Sequence, residues 1–253
     1  MALTLNGDGT ITGSVVNTDV ANTRVGIGTN TPKASLHVNG STSLQQNYST
    51  YLVNAYYDSG WKYIENGSAW GIGNNFGGPS NGVTIASAAT NSSGAGAALT
   101  FTPRLNIDSA GQVTTPYQPG FKASGLASQV TDTSGNTNFV FNNDSVYAGY
   151  NTGNHYNTSN GIFTAPISGV YIFGANVMGD GTDDRFMIRI EINGTGAHQG
   201  SSSSNVNQYQ DSKLTVTLKL NSNDYVSIGN WGGKANYGGN NPLEFFFWGH
   251  LLG

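Results

Sequence analysis

Gly161-Ile162-Phe163-Thr164-Ala165-Pro166-Ile167-Ser168-Gly169-Val170-Tyr171-Ile172-Phe173 and the run Phe245-Phe246-Phe247-Trp248-Gly249-His250-Leu251-Leu252 decide the fold. A strand in a two-layer sandwich alternates apolar and polar residues, because only one of its faces meets the core. Here both faces are apolar. Phe245 and Phe247 point one way while Phe246 and Trp248 point the other, and Tyr171 and Phe173 oppose Val170 and Ile172 in the same manner. One face can fill the sandwich, so the second needs another partner. A copy of the same chain is the economical choice, since most soluble oligomers are symmetric homo-oligomers. The spacing predicts a β-sandwich in which Tyr171, Phe173, Phe245, Phe246, Phe247 and Trp248 are divided between the core and the interface of a homotrimer.

Composition agrees with extended structure. Charged residues make up 9% of the 253 and glycine contributes 36, against roughly 25% charge in ordinary soluble domains. Asn, Ser and Thr fill most of the remaining polar positions, which suits β structure with many turns. A net charge of -4 without a Lys/Arg cluster leaves nothing to neutralise a phosphate backbone, so no nucleic-acid partner is expected. The absence of Cys removes disulfides and zinc-thiolate sites and leaves packing and oligomerisation to supply stability. Met1-Ala2-Leu3-Thr4-Leu5-Asn6-Gly7 has neither a basic nor an apolar segment of a secretory leader, and no run is long enough to span a membrane, so no membrane insertion is expected.

No segment sustains apolar recurrence at helical spacing, and the whole chain reads as all-β. Residues 1–43 are expected to form an N-terminal attachment or shaft segment, 44–116 a small β insertion with a second shaft module, and 117–253 a C-terminal head. The shaft modules, Arg24-Val25-Gly26-Ile27-Gly28 through Leu36-x-Val38-Asn39-Gly40 and Arg104-Leu105-x-Ile107 through Gly111, Val113 and Pro116, are brief period-2 strands closed by Asn/Asp-Gly turns. Burying one Leu and one Val yields about 3–6 kcal/mol, whereas fixing ten residues of backbone costs roughly 10–20 kcal/mol. Such a module needs neighbours, and three chains side by side would supply them. Residues 44 to 101 are expected to form a small β insertion with a long loop, and a Gly/Ser/Ala-rich tract such as Gly77 to Ala98 is more often flexible or closely packed β than functional. In the head, strands are expected at 120–125, 139–149, 161–164, 169–178, 185–193, 195–199, 212–220, 224–230 and 244–252, with Asn193-Gly194 as a hairpin turn.

Phe121, Phe141, Tyr156, then Gly161-x-Phe163-x-x-Pro166-x-x-Gly169-x-Tyr171-x-Phe173 and the closing Gly249-x-Leu251-Leu252 resemble the globular head of complement component 1q and its tumour necrosis factor-like relatives, over roughly 117 to 253. The resemblance implies a ten-stranded jelly roll assembled as a tight trimer. Leu3-Thr4-Leu5-Asn6-Gly7-Asp8-Gly9-Thr10-Ile11-Thr12-Gly13 and Val25-Gly26-Ile27-Gly28-Thr29 through Pro32 to Leu36-His37-Val38 resemble segments of bacteriophage tail-fibre and appendage proteins, notably those of cyanobacterial hosts. Together they imply a viral structural protein on the virion exterior, made in the host cytoplasm and attached to other virion proteins through its N-terminal segment. Its expected role is host adhesion, as a tail fibre or tail tip binding a host-surface glycan or protein receptor. The alternatives are a structural head fibre or capsid decoration and, third, a glycan depolymerase.

If the chain enters and leaves the head at its base, as the family does, loops 179–184, 200–211 and 231–243 gather at the far end, where recognition is expected. They carry Asp180, Asp183, Asp184, Asn205, Tyr209, Trp231, Lys234, Asn236, Tyr237 and Asn240. Flat aromatics beside amides suit sugar faces; equally, Trp231 is a candidate to cap the sandwich or pack on a neighbouring subunit. The Asp180/Asp183/Asp184 cluster has the oxygen chemistry calcium prefers, but its spacing fits no EF-hand and a solvated turn is the plainer reading. No other cofactor is indicated. Four His and three Glu, all well separated, form no nucleophile elbow or metal-protease pair, and the expectation is a protein that is not an enzyme.

Overall fold

The computed structural model describes residues 4–5, 11–12, 42–45, 50–74, 76, 82–126, 137–145, 148–179, 185–203, 210–232 and 244–253. Among these residues the secondary structure is entirely β, in two compact units, Met1–Pro116 and Tyr117–Gly253. The first shaft module, Arg24 to Gly40, lies outside the described residues.

The first unit holds a short hairpin of β1 (Thr4–Leu5) and β2 (Ile11–Thr12) and a six-stranded antiparallel sheet. That sheet comprises β3 (Thr42–Gln45), β4 (Thr50–Val53), β7 (Gly67–Gly73), β8 (Val83–Asn91), β9 (Thr102–Ile107) and β10 (Val113–Thr114). A second hairpin, β5 (Ala55–Tyr57) with β6 (Trp61–Tyr63), is extended by residues 96–101, where Leu99 N–H donates to the Trp61 carbonyl at 2.9 Å. Leu52, Ala69 and Ala86 on one sheet face are buried with Phe76, Leu99 and Phe101, and Trp61 packs against them. Of the Gly77–Ala98 tract, the described part is closely packed β rather than loop over much of its length. It contains β8, the longest strand of the unit, in which Thr84 and Ala86 are buried while Val83 and Ile85 face outward. Small residues suit this position, because aromatic rings from the second hairpin fill the space that larger side chains would otherwise occupy.

The module from Arg104 to Pro116 likewise finds its neighbour within the chain. Asp108 Oδ1 accepts from the Ala110 and Gln112 N–H groups at 2.9 Å each, closing the turn between β9 and β10. The β9 strand then pairs with β8, and Thr84 Oγ1 lies 3.0 Å from Asn106 Oδ1 beneath the sheet.

The second unit is a sandwich. One sheet has the order β12-β11-β21-β16-β19, from β12 (Phe141–Asn143), β11 (Gly120–Leu126), β21 (Phe246–Leu251), β16 (Gly169–Gly179) and β19 (Gln210–Leu220), with β13 (Tyr150–Thr152) also on β11. The other has the order β14-β15-β20-β17-β18, from β14 (Tyr156–Asn157), β15 (Ile162–Thr164), β20 (Tyr225–Gly232), β17 (Arg185–Ile192) and β18 (Thr195–Ser203). Both β12 and β13 run antiparallel to β11 along one edge, at residues 124–126 and 120–122 respectively. Counted as one interrupted strand, they bring the sandwich to ten strands with jelly-roll connectivity.

That edge corrects the single strand expected at 139–149. Phe139 N–H donates to the Ile228 carbonyl at 2.8 Å in the second sheet, whereas Phe141 pairs with Leu126 in the first. The chain crosses between layers here, because Phe139 and Phe141 are both buried and must reach the core from its rim. Between the layers, Phe121 stacks on Tyr156 and Phe163 at 4.6 and 5.1 Å and meets Phe247 edge-on. The Tyr156 hydroxyl donates to the Phe141 carbonyl at 3.0 Å, and burial pushes its pKa far above the usual phenol range. Asn193 and Gly194, at φ of 52° and 76°, form the tight turn between β17 and β18 that matches strand twist.

Candidate functional site

Strand register fixes the polarity of the head. Gly120 pairs with His250, and Val170 N–H donates to the Gly253 carbonyl at 2.7 Å, so the first and last strands share one end. At the opposite end Gly179 pairs with Gln210, Arg185 with Ser203 and Met187 with Gly232. Segments 180–184, 204–209 and 233–243 leave from those strand ends. Asp180, Asp183, Asp184, Asn205, Tyr209, Lys234, Asn236, Tyr237 and Asn240 all lie outside the described residues. The strands are longer than expected, for β18 and β19 take up residues 200–203 and 210–211 of the connection expected at 200–211.

Trp231 is the recognition candidate that falls among the described residues, and it occupies β20 rather than a loop. Its indole is 40% exposed and lies face-on to the Arg189 guanidinium, 3.9 Å from the ring centroid. It therefore covers an ion of its own chain with one face. Arg189 Nε is in turn paired with Glu191 Oε1. Both come from the outward positions of Phe186-Met187-Ile188-Arg189-Ile190-Glu191-Ile192, whose inward residues Phe186, Ile188 and Ile190 are in the core. Glu191 fits because residue 229 is glycine; a Cβ there would stand 2.7 Å from its Oε1. Gly196, Ala197, His198 and Gln199 of β18 complete an open depression of about 490 Å³ around Arg189 and Trp231.

The depression combines an aromatic surface, a cation whose charge is largely balanced by Glu191, an imidazole and an amide. It can hold a hydroxyl-rich ligand by stacking and neutral hydrogen bonds. It has no paired carboxylates set apart for acid and base work. Among the described residues no group of three or more His, Asp or Glu is placed to hold a metal. Sequence reasoning missed Arg189, Glu191, His198 and Gln199. The legible signal was the alternation in β17, which puts two opposite charges on the outer face of an otherwise apolar strand.

A second surface lies on the outside of the other sheet. Tyr171, Phe173, Phe245 and Phe247 fill the sandwich itself, while Phe246 and Trp248 are half-buried on the opposite face with Ile172 and the exposed Val170. Gly174 leaves the space the Trp248 indole occupies. Next to Phe246, Ser124 and Asn176 are buried, and Ser124 Oγ and Asn176 Oδ1 have no hydrogen-bond partner among the described residues. Tyr150 and His250 bond to one another at the base of this face.

The C1q domain family model matches residues 122–252. Three solved structures are similar to about half of the chain. The globular domain of zebrafish complement 1qA protein is 18% identical with a TM-score of 0.40, over 54% of this chain and 98% of that one. Eiger TNF from S. frugiperda is 12% identical with a TM-score of 0.40, over 54% and 93%. Murine APRIL at pH 5.0 is 11% identical with a TM-score of 0.43, over 53% and 99%. No curated protein matches the chain.

Proposed function

The chain belongs to the C1q domain family, and from that premise we propose that it is a homotrimeric virion appendage, a tail fibre or tail tip, whose heads bind a host-surface glycan without catalysis. Domains of this family typically assemble as trimers and bind ligands rather than transform them. The outer face bearing Phe246, Trp248, Val170 and Ile172 supports self-association, since a partner copy would cover apolar surface there. The phage-like phrases at residues 3–13 and 25–38 support placement on the virion exterior, with those residues toward other virion proteins.

The observation that carries the receptor reading is the exposed Trp231 indole beside Arg189, His198 and Gln199, near the end from which the long connections leave. Aromatic and arginine side chains concentrate binding energy at interfaces. The test is an adsorption competition with the purified full-length chain and its Trp231→Ala variant. The wild type is expected to occupy host cells saturably and block infection, and the variant to lose at least about tenfold in apparent affinity. Equal competition by both would remove Trp231 from the site. Failure of the wild type to bind at all would move the protein to a structural position on the capsid.

A further inference from the structure

We propose that the outward face of the six-stranded sheet in the first unit is an interface between copies of this chain. The proposal rests on the homotrimer reading but concerns a different surface from the head. Register places Tyr51 opposite Ile72, Ile72 opposite Ile85 and Ile85 opposite Leu105, giving an apolar row across four strands. Trp70 lies beside Tyr51 with ring centroids 5.7 Å apart, and Val83 pairs with Ile107, which pairs with Val113. The large hydrophobics in these rows include Tyr51, Trp70, Ile72 and Ile85 at 39–41% exposure and Val83 at 47%. Scattered exposed hydrophobics are ordinary, but a contiguous patch of this kind marks an interaction surface. The sheet's other face has its cover, the aromatic hairpin and Phe101, and among the described residues no second layer packs on the outward face.

Three features select a second copy as that partner. Arg104, bonded through Nε to Ser87 Oγ at 2.8 Å, is the charged side chain on this face, so the patch offers no charge pattern to match a foreign surface. Rows of β-branched and aromatic residues can meet the equivalent rows of two other copies around a three-fold axis, which repeats one apolar contact three times. Finally, Pro116 of this unit and Tyr117 of the head are consecutive residues, so heads held as a trimer keep three such sheets within one chain's reach. Tethering of that kind raises the effective concentration of the sheets to roughly the millimolar range without any new contact.

The chain has no cysteine, which allows a clean test with the full-length protein. Ile85→Cys places a thiol on the face, and Ser92→Cys places one in an exposed turn elsewhere in the same unit. Light scattering reports the assembly state, and a short bismaleimide reports proximity between copies. Three chain masses together with efficient cross-linking of the Ile85→Cys chain and little of the Ser92→Cys chain is the expected result. Adding Ile72→Lys to the Ile85→Cys chain should then cut cross-linking at least about fivefold while the head keeps the mass unchanged. A trimer in which the thiol at position 85 reacts as an isolated surface group overturns this inference and leaves the trimer standing. Shielding of that thiol only after a different virion protein is added also overturns it, by assigning the face to that protein. A single chain mass defeats the homotrimer reading first and removes the premise.

Discussion

The two units solve the same problem differently. The head folds two sheets over one aromatic core, so Phe121, Phe173, Phe247 and their neighbours lose all contact with solvent inside a single chain. The first unit has one extended sheet, covered on one face by a short hairpin and, among the described residues, partly exposed on the other. A closed sandwich supplies its own cover, whereas a lone sheet of small and β-branched residues must find one elsewhere. The head core is therefore complete within one chain, whereas the described sheet of the first unit leaves Tyr51, Trp70, Ile72 and Ile85 partly exposed.

Truncating the head core should have the largest effect. Phe121→Ala removes a ring stacked on two others and met edge-on by a third, at an expected cost of about 3–5 kcal/mol. Urea unfolding followed by near-ultraviolet circular dichroism should show the head melting early while the first unit keeps its own transition. Loss of both units in one step would break the comparison.

Phe101→Ala is the matching change in the first unit. Phe101 lies edge-on to Trp61 and Phe76, at 5.3 and 4.5 Å, and keeps 7% exposure. The expected loss is near the lower end, about 3 kcal/mol. Trp61 fluorescence should report an early transition that leaves head binding intact. A larger shift than Phe121→Ala produces would show that the open sheet has less slack than the sandwich.

Gly174→Ala sharpens the contrast at the head's outer face. The added methyl overlaps the Trp248 indole, which must swing outward, for about 1–3 kcal/mol. Melting temperatures measured across protein concentration should fall most at low concentration, because the displaced ring disturbs association between copies. A drop independent of concentration would place the strain wholly within one subunit.

The smallest effect is acid sensitivity at the head's base. Asp224 accepts from Asn193 Nδ2 and from the Asn221 N–H, both at 2.8 Å, and these bonds hold its pKa below the usual carboxylate range. A depressed native pKa contributes stability that is present above the unfolded value and is lost as pH falls through the native one. Between about pH 5 and pH 2 the wild-type head should lose slightly more stability than Asp224→Asn, read as the difference in urea midpoints. Parallel pH profiles would show that the turn is held by Asn193-Gly194 alone.

Much of the head was legible in its sequence because its pattern is local and redundant. Period-2 alternation set Phe245 and Phe247 against Phe246 and Trp248, and Tyr171 and Phe173 against Val170 and Ile172, and Asn193-Gly194 marked a turn; which side of each strand is the core came from the fold. The crossing at Phe139 to Phe141 was not legible, since two buried aromatics two residues apart look the same whether they serve one sheet or two. Within Gly77–Ala98 the sequence left flexible chain and closely packed β both open, since small residues carry little propensity of their own. Arg189 and Glu191 escaped notice for a related reason. Their spacing shows a shared face, but only the fold brings Trp231 and Gln199 beside them.

By itself the sequence determined an all-β chain and a doubly apolar pair of strands in the head, because alternation and turn chemistry act between residues near in the chain; the family entered as a resemblance of motifs across the head. Tertiary structure alone decided which strands are neighbours. Cross-strand pairing joins residues far apart in sequence, and it is this pairing that gathers Arg189, His198, Gln199 and Trp231 into one depression and lines Tyr51, Ile72 and Ile85 into one apolar row.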